Sequence, residues 1–132
     1  MISENEYKEY VDFVTGLFQE NCDVKGEEWL LHAAMGLVTE SAEVMDLLKK
    51  HFFYNRELDK TKLKDELGDI LFYWVGFVNR LGVSFEEIVD MNTAKLATRF
   101  PNGYTDKHAN KRNEKAEQAA QQKVVEKEKQ TN

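Results

Sequence analysis

Glu40-Ser-Ala-Glu43 and Glu66-Leu-Gly-Asp69 are two acidic couplets separated by 22 residues, and their reading decides the fold. Residues three apart on an α-helix lie about one turn apart on the same side, so each couplet aims two carboxylates in one direction. Each couplet sits within a helical pattern, with a short break between. If the two helices pack as neighbours with the couplets facing, four acids converge, and like charges held that close require a cation between them. The expectation is a divalent-metal site on a helical hairpin.

Outward from the couplets, the apolar spacing defines the rest of the domain. The first couplet lies in a helix from about Glu27 or Glu28 to Lys50, with Leu30, Ala34, Leu37, Val38, Ser41, Val44, Met45 and Leu48 as its apolar stripe and Glu40 at the edge. The segment from His51 to Leu58 breaks that pattern, with Asn55 as the turn residue. Its aromatics, Phe52, Phe53 and Tyr54, are read as padding of the bundle end, a base pocket being the other use.

The second couplet lies in a helix capped by Asp59 or Thr61 and running to about Arg80. Its stripe is Leu63, Leu67, Ile70, Trp74, Phe77 and Leu81. From Ile70 to Val78 that helix is apolar almost all round, which calls for burial on every side and hence for oligomerisation.

A first helix, from about Glu4 to Gln19, opens on the capping box Ser3 and Glu6 and carries Tyr7, Tyr10, Val11, Val14, Leu17 and Phe18 at helical spacing. A loop from Asn21 to Gly26 follows. A fourth helix, from about Phe85 to Thr98, opens on the capping box Ser84 and Glu87, and Asn92, Lys95 and Arg99 lie along one side of it. Phe100-Pro101-Asn102-Gly103 stops it. After Lys107 the segment is poor in apolar residues, Val124 and Val125 apart, so it reads as a charged appendage, frayed or docked on another subunit. The organisation expected is an all-α, four-helix bundle-like catalytic domain over residues 1–106 and an appendage over 107–132.

Composition narrows the function classes. In 132 residues, 42% are hydrophobic and 32% charged, with one proline and seven glycines, which suits one soluble helical domain rather than an all-β one. No apolar run nears the roughly 18 residues of a membrane span. The N-terminus lacks the pattern of a secretory signal, and the single cysteine, Cys22, has no internal partner, so the cytoplasm is the expected compartment. The first 106 residues hold 11 Lys+Arg against 20 Asp+Glu, a poor surface for nucleic-acid backbone, whereas the remainder holds 7 against 4. A nucleic-acid arm is the lesser reading of that tail.

The residue types also bound the chemistry. Carboxylates without a histidine three positions after a glutamate point to Mg2+, with Mn2+ as substitute, rather than to di-iron or zinc. Lys62, Lys95 and Arg99 supply cations for phosphates, in the absence of a glycine-rich phosphate loop. Trp29, Phe52, Phe53, Tyr54 and Tyr73 are each able to stack on a base. This combination describes hydrolysis of a phosphate chain, with one glutamate as base.

Gly36-Leu-Val-Thr-Glu40-Ser-Ala-Glu43-Val, Lys64-Asp-Glu66-Leu-Gly-Asp69-Ile-Leu and Asn92-Thr-Ala-Lys95-Leu-Ala-Thr-Arg99-Phe-Pro, in that order, resemble the MazG-like nucleotide pyrophosphohydrolases. These belong to the all-α NTP pyrophosphatase superfamily, marked by E-x-x-E, a gap, then E-x-x-D. The resemblance spans about Trp29 to Tyr104. It implies cleavage of an NTP or dNTP between the α- and β-phosphates to monophosphate and pyrophosphate. It implies Glu40, Glu43, Glu66 and Asp69 as Mg2+ ligands; the motif does not fix which acid is the base, and Glu43 is the preferred choice. It further implies Lys62, Lys95 and Arg99 at the phosphates, Tyr73 and Asn92 at the nucleotide, and a homodimer or dimer of dimers. The rival expectation is a non-catalytic helical module that senses nucleotides or scaffolds a partner.

Overall fold

A computed structural model describes residues 4–18 and 26–131. Among the described residues there are six helices and no strand: α1 (Glu4–Leu17), α2 (Glu28–Tyr54), α3 (Lys60–Leu81), α4 (Phe85–Arg99), α5 (Asp106–Asn110) and α6 (Glu114–Thr131). The fold is all-α. Ser3, Gln19, Cys22 and the loop before Gly26 lie outside the described residues. The chain divides into two compact units, Met1–Gly82 and Val83–Asn132.

In the first unit α2 and α3 form an antiparallel hairpin, and α1 packs on α3. Two glycines allow the hairpin to close. The Tyr73 ring of α3 rests directly on Gly36 of α2, where a Cβ would overlap it. In the other direction Trp29 of α2 covers Gly76 of α3, and its indole N–H donates to the Gly76 carbonyl at 3.2 Å. Phe18 fills the space beside Trp29, with ring centroids 4.3 Å apart, and Val14, Ala33, Val75 and Val78 complete the core. The side chains that meet are therefore large on one helix and absent on the other, which brings the backbones close.

That choice of contacts rotates α2 away from the expected stripe. Trp29, Ala33 and Gly36 are its buried residues, whereas Val38 and Met45 are 70% and 69% exposed. Hydrophobic size suggested the opposite, but close approach favours small residues at the crossing. Conversely, α1 and α2 cover most of the apolar girdle of α3, with Leu71 at its exposed edge. Exposed apolar residues remain on all three helices, Phe13 and Leu17 on α1, Leu67 and Leu81 on α3, and most of all on α2, where Leu31, Met35, Val38 and Met45 lie open.

The helix ends follow local chemistry. The helix α2 continues beyond Lys50 to Tyr54 and stops at Asn55, which takes the left-handed conformation at φ 51° and donates its N–H to the Lys50 carbonyl. Phe52, Phe53 and Tyr54 are thus helical and exposed, and they do not pad the bundle end. Asp59 caps α3 by accepting from the N–H groups of Thr61 and Lys62, both at 3.0 Å. Ser84 caps α4 through the Glu87 N–H at 2.9 Å.

In the second unit α6 lies along α4. The segment expected to be frayed or docked elsewhere lies against α4, with Ala116, Ala120, Val124 and Val125 half-buried and a buried ion cluster beside them. Glu117, 2% exposed, accepts from Arg99 and Arg112, which hold its carboxyl down at about 2. At the other end of α6, burial and the charges of Glu87, Asp90 and Glu86 push the Glu128 carboxyl up.

Two outcomes are expected. Gly36→Ala gains up to about 1 kcal/mol of helix propensity but overpacks Tyr73 at a cost of about 1–3 kcal/mol. Its thermal midpoint falls, and the loss shrinks when Tyr73→Ala is present in the same chain, as a double-mutant melting cycle would read. For α6, the Glu117 contribution is present above the usual carboxyl range and lost as pH falls towards about 2. The Glu128 contribution has the opposite sign, full at low pH and lost as pH rises through its raised value. Amide-exchange protection of α6 should therefore peak in mild acid and decline on both sides.

Candidate active site

Glu40 lies one turn beyond Gly36 on α2, and Asp69 one turn before Tyr73 on α3. Since Tyr73 rests on Gly36, that contact sets the rotation of both helices, and the antiparallel register brings Glu40 opposite the second couplet. Carboxylate oxygens of Glu40, Glu66 and Asp69 lie within 4.8 Å of one another. Glu40 and Glu66 are half-buried and Asp69 is exposed. Glu43, the remaining acid of the couplets, is exposed and stands outside this group.

Burial pushes the Glu66 carboxyl up, reinforced by the charges of Glu40 and Glu43, a hydrogen bond with Glu40 and the charge of Asp65. The site thus stores mutual repulsion that a cation would relieve. Beside it the Thr39 hydroxyl lies 3.0 Å from the Gly36 carbonyl and 3.2 Å from Glu40 Oε1, with one proton to offer the two. Three convergent carboxylates without imidazole or thiolate fit a hard divalent cation.

A family model described as the MazG nucleotide pyrophosphohydrolase domain matches residues 30–104, more than half of the chain and both couplets. The chain belongs to this family. No curated protein and no solved structure matches it. The MazG segment starts in the first turn of α2 and ends at Tyr104, so it includes α4 and leaves out α6.

The remaining candidate residues of the MazG segment distribute as follows. Lys62 is exposed in the first turn of α3, one turn before Glu66. Tyr73 is half-buried and faces His32, ring centroids 5.8 Å apart, while His32 stacks on Trp29 at 4.7 Å and 22°. This aromatic row runs one to three turns from the acids along the same hairpin. Beyond Trp29 opens a cavity of about 170 Å³ lined by Thr15, Phe18, Trp29, Gly76, Asn79 and Arg80. Phe52, Phe53 and Tyr54 lie past the couplets at the other end of α2.

Asn92, Lys95 and Arg99 lie on α4, in the second unit. There Asn92 is exposed and Lys95 half-buried, while Arg99 is engaged by Glu117. The sequence reading missed Tyr10, counted only as core. Burial and the negative charge of Asp69 both raise its hydroxyl, which sets it within the field of the acids. Tyrosines at positions 7 and 10, where leucine or phenylalanine would serve a dry core, were the available signal.

The raised Glu66 carboxyl has a definite sign in stability. Its contribution is full when the group is protonated in both states and is lost as pH rises through the raised value. Metal-free protein should therefore gain thermal stability on acidification from pH 7 into the carboxylate range, and Glu66→Gln should melt higher than wild type at pH 7 without metal. The same variant should lose most of the Mg2+-induced rise in melting temperature. Calorimetry at several pH values, with Mg2+ and with EDTA, reads both effects.

Proposed function

We propose that the chain is a Mg2+-dependent nucleoside triphosphate pyrophosphohydrolase, cleaving an NTP or dNTP between the α- and β-phosphates to give a nucleoside monophosphate and pyrophosphate. The observation that carries this reading is the convergence of Glu40, Glu66 and Asp69 inside a MazG segment. Held by these acids, with Glu43 as the fourth motif position, Mg2+ or Mn2+ would supply charge neutralisation and polarise the phosphate chain. Every other part of the reaction falls to the chain's own residues.

Glu43 is exposed beside the acid group and serves as the general base, taking a proton from the attacking water. One P–O bond of the α–β anhydride breaks, the water oxygen joins phosphorus, and pyrophosphate leaves. Lys62, Lys95 and Arg99 are assigned to the phosphates, Arg99 by its bidentate fork. Tyr73 and Asn92 are assigned to the nucleoside, and beside Tyr73 the exposed ring of His32, backed by the buried Trp29, offers an aromatic face for a base. The uncovered apolar residues of α2 support a homodimer or dimer of dimers. The single cysteine fits a reducing cytoplasm.

Asp69→Ala and Glu66→Ala should each stay folded by circular dichroism yet release pyrophosphate at background rate from NTPs and dNTPs in Mg2+. Wild-type turnover should vanish in EDTA and return with Mg2+ or Mn2+. Undiminished turnover in either variant would overturn the site.

A further inference from the structure

Glu117 is the buried charged side chain of the described residues, and its surroundings exceed what a structural staple requires. Arg99 Nε and Nη2 donate to its two oxygens at 3.0 and 2.7 Å, a fork on a fork. Arg112 Nη2 adds a third bond at 3.0 Å to Oε2. One guanidinium would neutralise one carboxylate, yet two are present. Beside them lies a cavity of about 170 Å³ lined by Thr98, Arg99, His108, Lys111 and Glu117 among others. The His108 Nδ1 atom is buried with no hydrogen-bond partner among the described residues. The setting is that of an oxyanion site whose present occupant is a carboxylate of the chain itself.

We infer that Glu117 is an internal substitute for phosphate: it holds Arg99 in the resting chain, and a polyphosphate anion must draw Arg99 away to bind it. The helix α6 is then an autoinhibitory strap that sets affinity for the phosphate chain. The inference rests on the reading of Arg99 as a phosphate ligand. Both anions accept the guanidinium fork in bidentate fashion, but a polyphosphate brings several negative charges against one, so it can prevail. The second guanidinium explains how the exchange avoids a stranded charge. When Arg99 leaves, Glu117 keeps Arg112, whereas a buried carboxylate without any partner would be strongly destabilising.

Two variants separate the strap from a staple, because they move binding in opposite directions. Glu117→Gln keeps the side-chain shape but removes the charge that competes for Arg99, so inorganic tripolyphosphate with Mg2+ should bind about tenfold more tightly than to wild type. Arg112→Gln leaves Arg99 as the principal partner of Glu117 and should weaken binding several-fold. Adding Arg99→Gln to Glu117→Gln should abolish the gain. Titration calorimetry reads all four proteins, with circular dichroism reporting whether α6 persists. Should Glu117→Gln fail to fold, the weakening by Arg112→Gln carries the test alone, and unchanged or tighter binding there overturns the inference.

The order Glu117→Gln, wild type, Arg112→Gln, from tightest to weakest, supports the strap. Equal or weaker binding by a folded Glu117→Gln overturns it. Tripolyphosphate binding needs no turnover, so the two readings fail separately. The predicted order in a protein that hydrolyses no nucleotide would sink the proposed activity alone. Hydrolysis without that order would sink the strap alone.

Discussion

The contact of the Tyr73 ring with the backbone at Gly36 governs the first unit, and its counterpart at Trp29 and Gly76 keeps the two helices in register. An aromatic ring set against a glycine leaves little freedom of rotation to either helix, since any turn of α2 would drive a Cβ or a neighbouring side chain into the ring. Glu40, Glu66 and Asp69 are carried into one place by that constraint, for when ionised their own charges oppose the arrangement. The packing of the hairpin holds in place an electrostatic cost that protonation of Glu66 lessens and that a bound cation would offset. Site and core are thus one construction.

The second unit is held by other means. The helix α4 has no fully buried residue, and α6 offers little apolar surface beyond alanines and two valines. Its security lies in the Arg99, Glu117 and Arg112 cluster at one end, against acidic repulsion around Glu128 at the other. The half-buried stripe of Ala116, Ala120, Val124 and Val125 adds a modest apolar contribution, since alanine and valine bury little area each. The two arginines thus meet the carboxylate of Glu117 at the one place where α6 buries a charge.

Much of this was legible in the sequence where the signal is local. Asp59, Ser84 and Asn55 mark helix ends because capping depends on the residue itself and its next few neighbours. That the two acids of a couplet lie on one side of their helix was legible because a three-residue step on a helix has one geometric meaning. The rotation of α2 was not. Val38 and Met45 outrank Ala33 and Gly36 on any hydrophobic scale, yet small residues at the crossing decide the buried face, and nothing near position 36 announces that Tyr73 will lie on it. Glu43 shares the motif with Glu40 but falls outside the oxygen group, although Glu66 and Asp69, the same three residues apart, both enter it, so the step alone does not decide which acids converge. Glu117 was invisible as a partner of Arg99 because it lies 18 positions further on, beyond a helix stop and a mostly polar stretch that carries no periodic signal.

The hairpin also measures distance. Gly36 precedes Glu40 by four residues, and Asp69 precedes Tyr73 by four, so the steric anchor and the carboxylate stand one turn apart on both helices. Inserting a single residue into either interval would swing the acid by about 100° and remove it from the group. The same insertion in the link from Asn55 to Asp59 would leave both intervals unchanged. Length variation is therefore cheap between the couplets and ruinous within four residues of the anchors. The motif is in effect a pair of rigid rulers joined by a cord of free length.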